Sequence, residues 1–98
     1  MLTDGDKRTL QMRLGMKAKA IVASIQQYNG KDKEQTPTVS FVQDYNLLRN
    51  KVLEIWPNEL KDILPPEVKI INTQFGDVPD VRYIEIMAYA QQIVNLLV

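Results

Sequence analysis

Apolar residues recur along the first third of the chain at helical spacing. Leu10, Leu14, Ala18, Ile21, Ile25 and Tyr28 follow one another at steps of four and three, which places them on one helical face. Ala18, Ala20 and Ala23 favour helix. Thr3 or Asp4 suits the start, because a short oxygen-bearing side chain accepts from an orphan backbone N–H. Asn29 and Gly30 read as a stop, since both tolerate positive φ. The pattern predicts a helix over 4–29. Gly15 inside it is either tolerated or marks a close approach by another helix.

Residues 30–37 are polar but for Pro37 and read as a mobile connector. Thr38 or Ser40 opens a second helix, and Ser40 with Gln43 fits a capping box. Phe41, Tyr45, Leu48, Val52 and Ile55 then form a seam at steps of 4, 3, 4 and 3. Leu47, Leu53 and Trp56 widen it to the stripe a core-facing helix needs, with Trp56 as a core plug. This helix is expected over 38–56. Pro57 suits the first position of a short helix over 58–64 that buries Leu60, Ile63 and Leu64. Residues 67–77 read as a helical turn or ordered loop, since Val68, Ile70 and Ile71 lack an evident sheet partner.

Asp77, Pro79 and Asp80 resemble a helix start, so the last helix is expected over 79–97. Thirteen of the eighteen residues from Val81 to Val98 are apolar or aromatic. A helix apolar around most of its girth is covered on more than one side. The fold class that follows is all-α: a small single-domain bundle of three long helices plus one short helix over 1–98.

Composition narrows the chemistry. The chain has 98 residues, no His and no Cys. Disulfides, thiolate nucleophiles, imidazole bases and Cys or His metal ligation are therefore excluded. Asp77, Asp80 and Glu85 do not have the spacing of a calcium loop, and Asp4 with Asp6 fails the same test. Acids in a first turn are expected anyway, because they complement the helix dipole. No Gly-rich phosphate loop or nucleophile elbow occurs. No enzyme activity, cofactor or metal is expected. The longest uninterrupted apolar run is five residues, Ile86 to Ala90, far short of a membrane span. No signal-peptide pattern opens the chain, so a cytoplasmic location is expected.

Lys plus Arg and Asp plus Glu are 12 each, so the chain is neutral, but the charge is unevenly spread. Residues 1–35 hold seven basic and four acidic residues, and 36–98 hold five basic and eight acidic. Two functional expectations follow. The first is a non-enzymatic helical interaction module, an adaptor, regulatory subunit or assembly factor, that binds a protein partner or forms a homodimer through the last helix. Tyr83, Ile86, Tyr89, Ile93 and Leu97 carry that face. The alternative is a nucleic-acid-associated regulator with Lys7, Arg8, Arg13 and Lys17 on phosphates. Met12 and Met16 flank the first helix's stripe and suit an adaptable partner groove.

Overall fold

The computed structural model describes residues 2–98. Helix α1 spans Asp4–Gln26. The Thr3 hydroxyl accepts from the Asp6 N–H at 3.0 Å, and the Asp6 carboxylate accepts from the Thr3 N–H at 3.2 Å. This reciprocal pair satisfies donors the helix itself cannot. Leu14, Gly15, Ala18, Val22 and Ile25 form its buried face.

Asn29 and Gly30 do not act as a left-handed stop. The Asn29 side chain accepts from the Asp32 N–H at 2.8 Å and caps a one-turn helix α2, Gly30–Lys33. Asn29 thus starts a new helix rather than ending α1, which stops at Gln26, and the connector is partly helical rather than a plain loop. Helix α3, Val39–Ile55, is capped by Thr38, whose hydroxyl accepts from the Phe41 N–H at 3.1 Å. Ser40 lies inside the helix, so the Ser40–Gln43 box does not form. Val42, Tyr45, Leu48, Val52 and Ile55 are buried. Pro57 opens α4, Pro57–Leu60, which stops short of the expected 64. Leu60 and Leu64 are buried, but Ile63 points to solvent.

The next stretch is where expectation and structure part. Residues 65–69 run back along α3 as an extended strap. Arg49 Nε donates to the Pro65 carbonyl at 2.9 Å, and the Tyr45 hydroxyl donates to the Pro66 carbonyl at 3.0 Å. Asn46 takes both backbone groups of Val68: its Oδ1 accepts from the N–H at 2.9 Å and its Nδ2 donates to the carbonyl at 3.0 Å. One amide side chain here replaces a neighbouring strand.

The strap feeds a hairpin of β1, Ile70–Thr73, and β2, Gly76–Pro79. The register pairs Ile70 with Pro79, Ile71 with Val78, Asn72 with Asp77 and Thr73 with Gly76. The Thr73 hydroxyl accepts from the Phe75 N–H at 3.1 Å and donates to the Gly76 carbonyl at 2.7 Å. Gly76 has φ +111°, a conformation side chains disfavour. The sheet partner absent from the sequence reading is therefore Gly76–Pro79, the segment taken as a helix start. Asp77 pairs across the hairpin instead of capping.

The last helix, α5, spans Tyr83–Leu97. Its start is fixed by the Glu85 carboxylate, which accepts from the Arg82 N–H at 3.1 Å. The expected all-α bundle is thus corrected to a mostly helical chain with a small two-stranded antiparallel sheet.

Side-chain contacts fix how the helices run. The Tyr83 ring meets Tyr28 edge-on at 5.1 Å and Phe41 at 5.2 Å, and its N–H donates to the Gln35 carbonyl at 3.1 Å. The end of α1 and the starts of α3 and α5 therefore meet. At the other end, Gln11 Nε2 donates to the Leu97 carbonyl at 2.7 Å. So α1 runs antiparallel to both α3 and α5, and those two run the same way. A same-direction pair needs a crossover, and the strap and hairpin supply it. Ile25, Val42, Tyr45, Val52, Ile86 and Ile93 are fully buried between the three long helices.

Candidate interaction surface

The face expected to bind a partner lies inside the chain. Ile86 and Ile93 are 0% exposed and Leu97 is 5% exposed. Tyr83 and Tyr89 are half-buried, Tyr83 against Tyr28 and Phe41, Tyr89 at 6.1 Å from Tyr45. Helix α5 has α1, α3 and α2 around it, and that accounts for its apolar girth. Releasing Ile86, Ile93 and Leu97 to a second copy would empty the core. Ile86, Ile93 and Leu97 thus line the core rather than an outward face, with Tyr83 and Tyr89 at its edge.

An exposed apolar surface does exist, on α1. Met12 is 66% exposed and Met16 68%, and Ala20 and Ala23 are exposed with them. Steps of four, four and three put these residues on one stripe. At 100° per residue it lies across the helix from Ala18 and Ile25. A hollow opens on each side of it. Between α1 and α3 runs a groove of about 560 Å³, floored by Leu14, Ile21 and Leu48. Leu47, expected in the core, stands on its α3 rim at 69% exposure. On the other side, Met12, Met16, Gly15, Leu97 and Val98 surround a hollow of about 250 Å³. Val98 is also largely exposed.

Charge flanks this stripe. From Lys7 to Gln26, α1 carries five basic residues and no acidic one. They do not converge on one face. Arg13 and Lys17 are about 40° apart on the α3 side; Arg8 and Lys19 are about 20° apart on the other. Lys7 is half-buried. The four residues expected to contact phosphates are therefore split between two edges of the helix and its flank. The α3 rim of the groove adds Asp44 and Lys51. Lys51 pairs with Glu54 at 3.7 Å, in full view of solvent, where an ion pair contributes little.

The acidic residues weighed as ligands do not gather in one cluster: Asp80 and Glu85 line a shallow hollow together with Arg82, and Asp77 stands in the hairpin. Asp77 lies in β2 opposite Asn72, and Glu85 is engaged by the Arg82 backbone. No group of three or more His, Cys, Asp or Glu residues able to hold a metal ion occurs among the described residues. Tyr45 is fully buried, and that burial pushes its hydroxyl well above the ordinary tyrosine range. That hydroxyl donates to the Pro66 carbonyl, a structural role.

Three surface residues escaped the sequence reading. Leu47 fits the α3 stripe by spacing but falls on its outer edge. Phe75, at the hairpin turn, is 90% exposed. Ala20 counts as a helix former in the sequence yet lines the groove. No helix among the described residues is long and apolar enough to cross a membrane.

Fold and surface together define a small, mostly helical protein with a two-stranded sheet and an exposed, basic-edged apolar face on α1. Compared with known families, curated proteins and solved structures, the chain matches none.

Proposed function

We propose that this chain is a non-enzymatic protein-interaction module that docks a protein partner on α1 and the α1–α3 groove. The observation carrying this reading is the exposed run from Met12 and Met16 through Ala20 to Leu47, beside a groove with a leucine floor. Exposed large apolar side chains gathered beside an apolar groove suit a contact site better than the same residues scattered singly. Methionine suits such a site because its unbranched side chain adapts to more than one shape.

The nucleic-acid reading draws on four of the five basic residues of α1: Lys7, Arg8, Arg13 and Lys17. A phosphate backbone calls for cations converging on one track. Here Arg8 and Arg13 are about 140° apart around the helix, with Met12 and Met16 between them.

The test uses two baits from the source cell, the parent chain and the double variant Met16→Asp, Leu47→Asp. Both positions are solvent-facing, so the variant should stay folded, losing about 1 kcal/mol for two aspartates in helix interiors, which urea unfolding of both baits checks. A protein held by the parent and lost by the variant, then shown by calorimetry to bind the purified parent directly, supports the reading. Equal capture by both baits sinks it. Retention of mixed DNA at about 50 mM salt, lost steeply as salt rises, would put the nucleic-acid reading in its place.

A further inference from the structure

We infer that the partner fitting this surface is an acidic amphipathic helix of another protein, laid in the α1–α3 groove with its carboxylates over Arg13, Lys17 and Lys51. The inference rests on the interaction reading above and adds the partner's chemistry.

Shape selects a rod. The groove lies between two helices, and its floor residues Leu14 and Leu48 are 5% and 6% exposed. A flat bilayer cannot reach them. A third helix can, because side-chain ridges settle into such grooves at interaxial distances of about 8–10 Å. Leu14 to Ile21 spans two turns of α1, which matches anchors at i, i+4 and i+7 on the incoming helix.

Charge selects an acid. Because α1 and α3 are antiparallel, Lys51 near the end of α3 lies toward the Arg13 and Lys17 end of α1. Asp44, earlier in α3, lies toward Ile21. Of the residues lining the groove, Lys17 and Lys51 are the bases toward one end and Asp44 is the one acid, toward the other; Arg13 flanks the basic end one turn before Lys17, and Glu54 pairs with Lys51 outside the lining. The surface pair of Lys51 with Glu54 is easily exchanged for a partner carboxylate.

A second copy does not supply that carboxylate set. Helix α1 against its own copy would bring five cations against five, with acids only at Asp4 and Asp6 in the first turn. Helix α3 holds Asp44, Arg49, Lys51 and Glu54, with no net charge, and Glu85 is the one charged residue of α5. The acidic helix must come from elsewhere.

The experiment titrates the full chain, ¹⁵N-labelled, with a synthetic amphipathic peptide about five turns long, with leucines on one face and glutamates on both flanks. A second peptide has lysine for every glutamate. The acidic peptide is expected to shift amides of Leu14–Ile21 and Asp44–Lys51, and to bind the parent at least about tenfold more tightly than the lysine peptide. The double reversal Arg13→Glu, Lys17→Glu should invert that preference. Equal affinity for both peptides overturns the inference, as do shifts centred elsewhere or no binding of the acidic peptide. So do concentration-dependent shifts of the chain alone, which mean a second copy, or stronger binding to phosphatidylserine vesicles than to the peptide. A partner lost from the Met16→Asp, Leu47→Asp bait but indifferent to the Arg13 and Lys17 reversal would remove this inference and leave the interaction reading standing.

Discussion

Replacing Asn46 with alanine tests how the crossover is held. Val68 is 4% exposed, and its N–H and carbonyl are both engaged by the Asn46 side chain, at 2.9 and 3.0 Å. The strap has no neighbouring strand at this point, so nothing else is placed to satisfy those two groups. A net contribution of about 0.5–1.5 kcal/mol per hydrogen bond gives about 1–3 kcal/mol for the pair. Asn46 is only half-buried, so water can enter the space left by the alanine and hold the loss to about 2 kcal/mol. Urea unfolding of parent and variant measures this directly, with Asn50→Ala as the control. Asn50 is exposed and accepts only from the Arg49 guanidinium at 3.0 Å, so its loss should stay within about 0.5 kcal/mol. Asn46→Asp sharpens the test. The carboxylate keeps the acceptor for the N–H but turns a second oxygen toward the Val68 carbonyl. That contact favours the protonated acid in the folded state and raises its pKa above the unfolded value. The penalty at neutral pH should therefore shrink as pH falls through the raised pKa, where the acid can donate again. If Asn46→Ala costs no more than Asn50→Ala, or if Asn46→Asp is indifferent to acid, the strap is not held this way.

Two further predictions concern single positions. A methyl group added at Gly15 would lie 3.8 Å from both Leu97 Cβ and Val98 Cγ2, an ordinary contact. Gly15→Ala should therefore stabilise the chain by about 0.5–1 kcal/mol through helix propensity, read as a higher urea midpoint; a fall would mean α1 and α5 cannot give there. Tyr45→Phe removes the hydroxyl bonded to the Pro66 carbonyl and should cost about 1 kcal/mol at neutral pH. Because the folded pKa of Tyr45 is raised, its unfolded form ionises first above about pH 10, which lowers parent stability by about 1.4 kcal/mol per pH unit. The phenylalanine variant lacks that loss, so the gap between the two must narrow with rising pH. A gap constant from about pH 9 to 11 would refute it.

The long helices were legible because their periodicity and their burial agree. Leu14, Ala18 and Ile25 in α1 and Tyr45, Leu48, Val52 and Ile55 in α3 are buried as their spacing requires. The hairpin was not legible. Its first strand is adjacent isoleucines without alternation, and its second contains Asp77 and Pro79, two residues strands disfavour. The same residues read naturally as a helix start. The Gln74–Phe75 turn carries none of the Asn-Gly chemistry that flags a hairpin. What closes it is the Thr73 hydroxyl and the positive φ of Gly76, and neither is decisive until the register is known.

The surface was misplaced for a different reason. Apolar content says how much of a helix wants cover, not how many neighbours the fold provides. Helix α5 is the most apolar helix, and its content predicts an outward apolar face; the crossover sets it parallel to α3, with α1 and α2 also against it, so that Ile86, Ala90, Ile93, Val94 and Leu97 are buried and Ile84 is left exposed. Helix α1 is more polar overall, so its second stripe of Met12, Met16, Ala20 and Ala23 passes as ordinary helix filling. One signal was available: twenty consecutive residues from Lys7 to Gln26 with five cations and no anion. A solvated helix ordinarily mixes both signs, which supports it through pairs one turn apart. Helix α1 forgoes those pairs on both edges of an exposed apolar stripe. Mutual repulsion of its own cations gives nothing to the folded chain, so a partner's carboxylates are what would turn that arrangement to use.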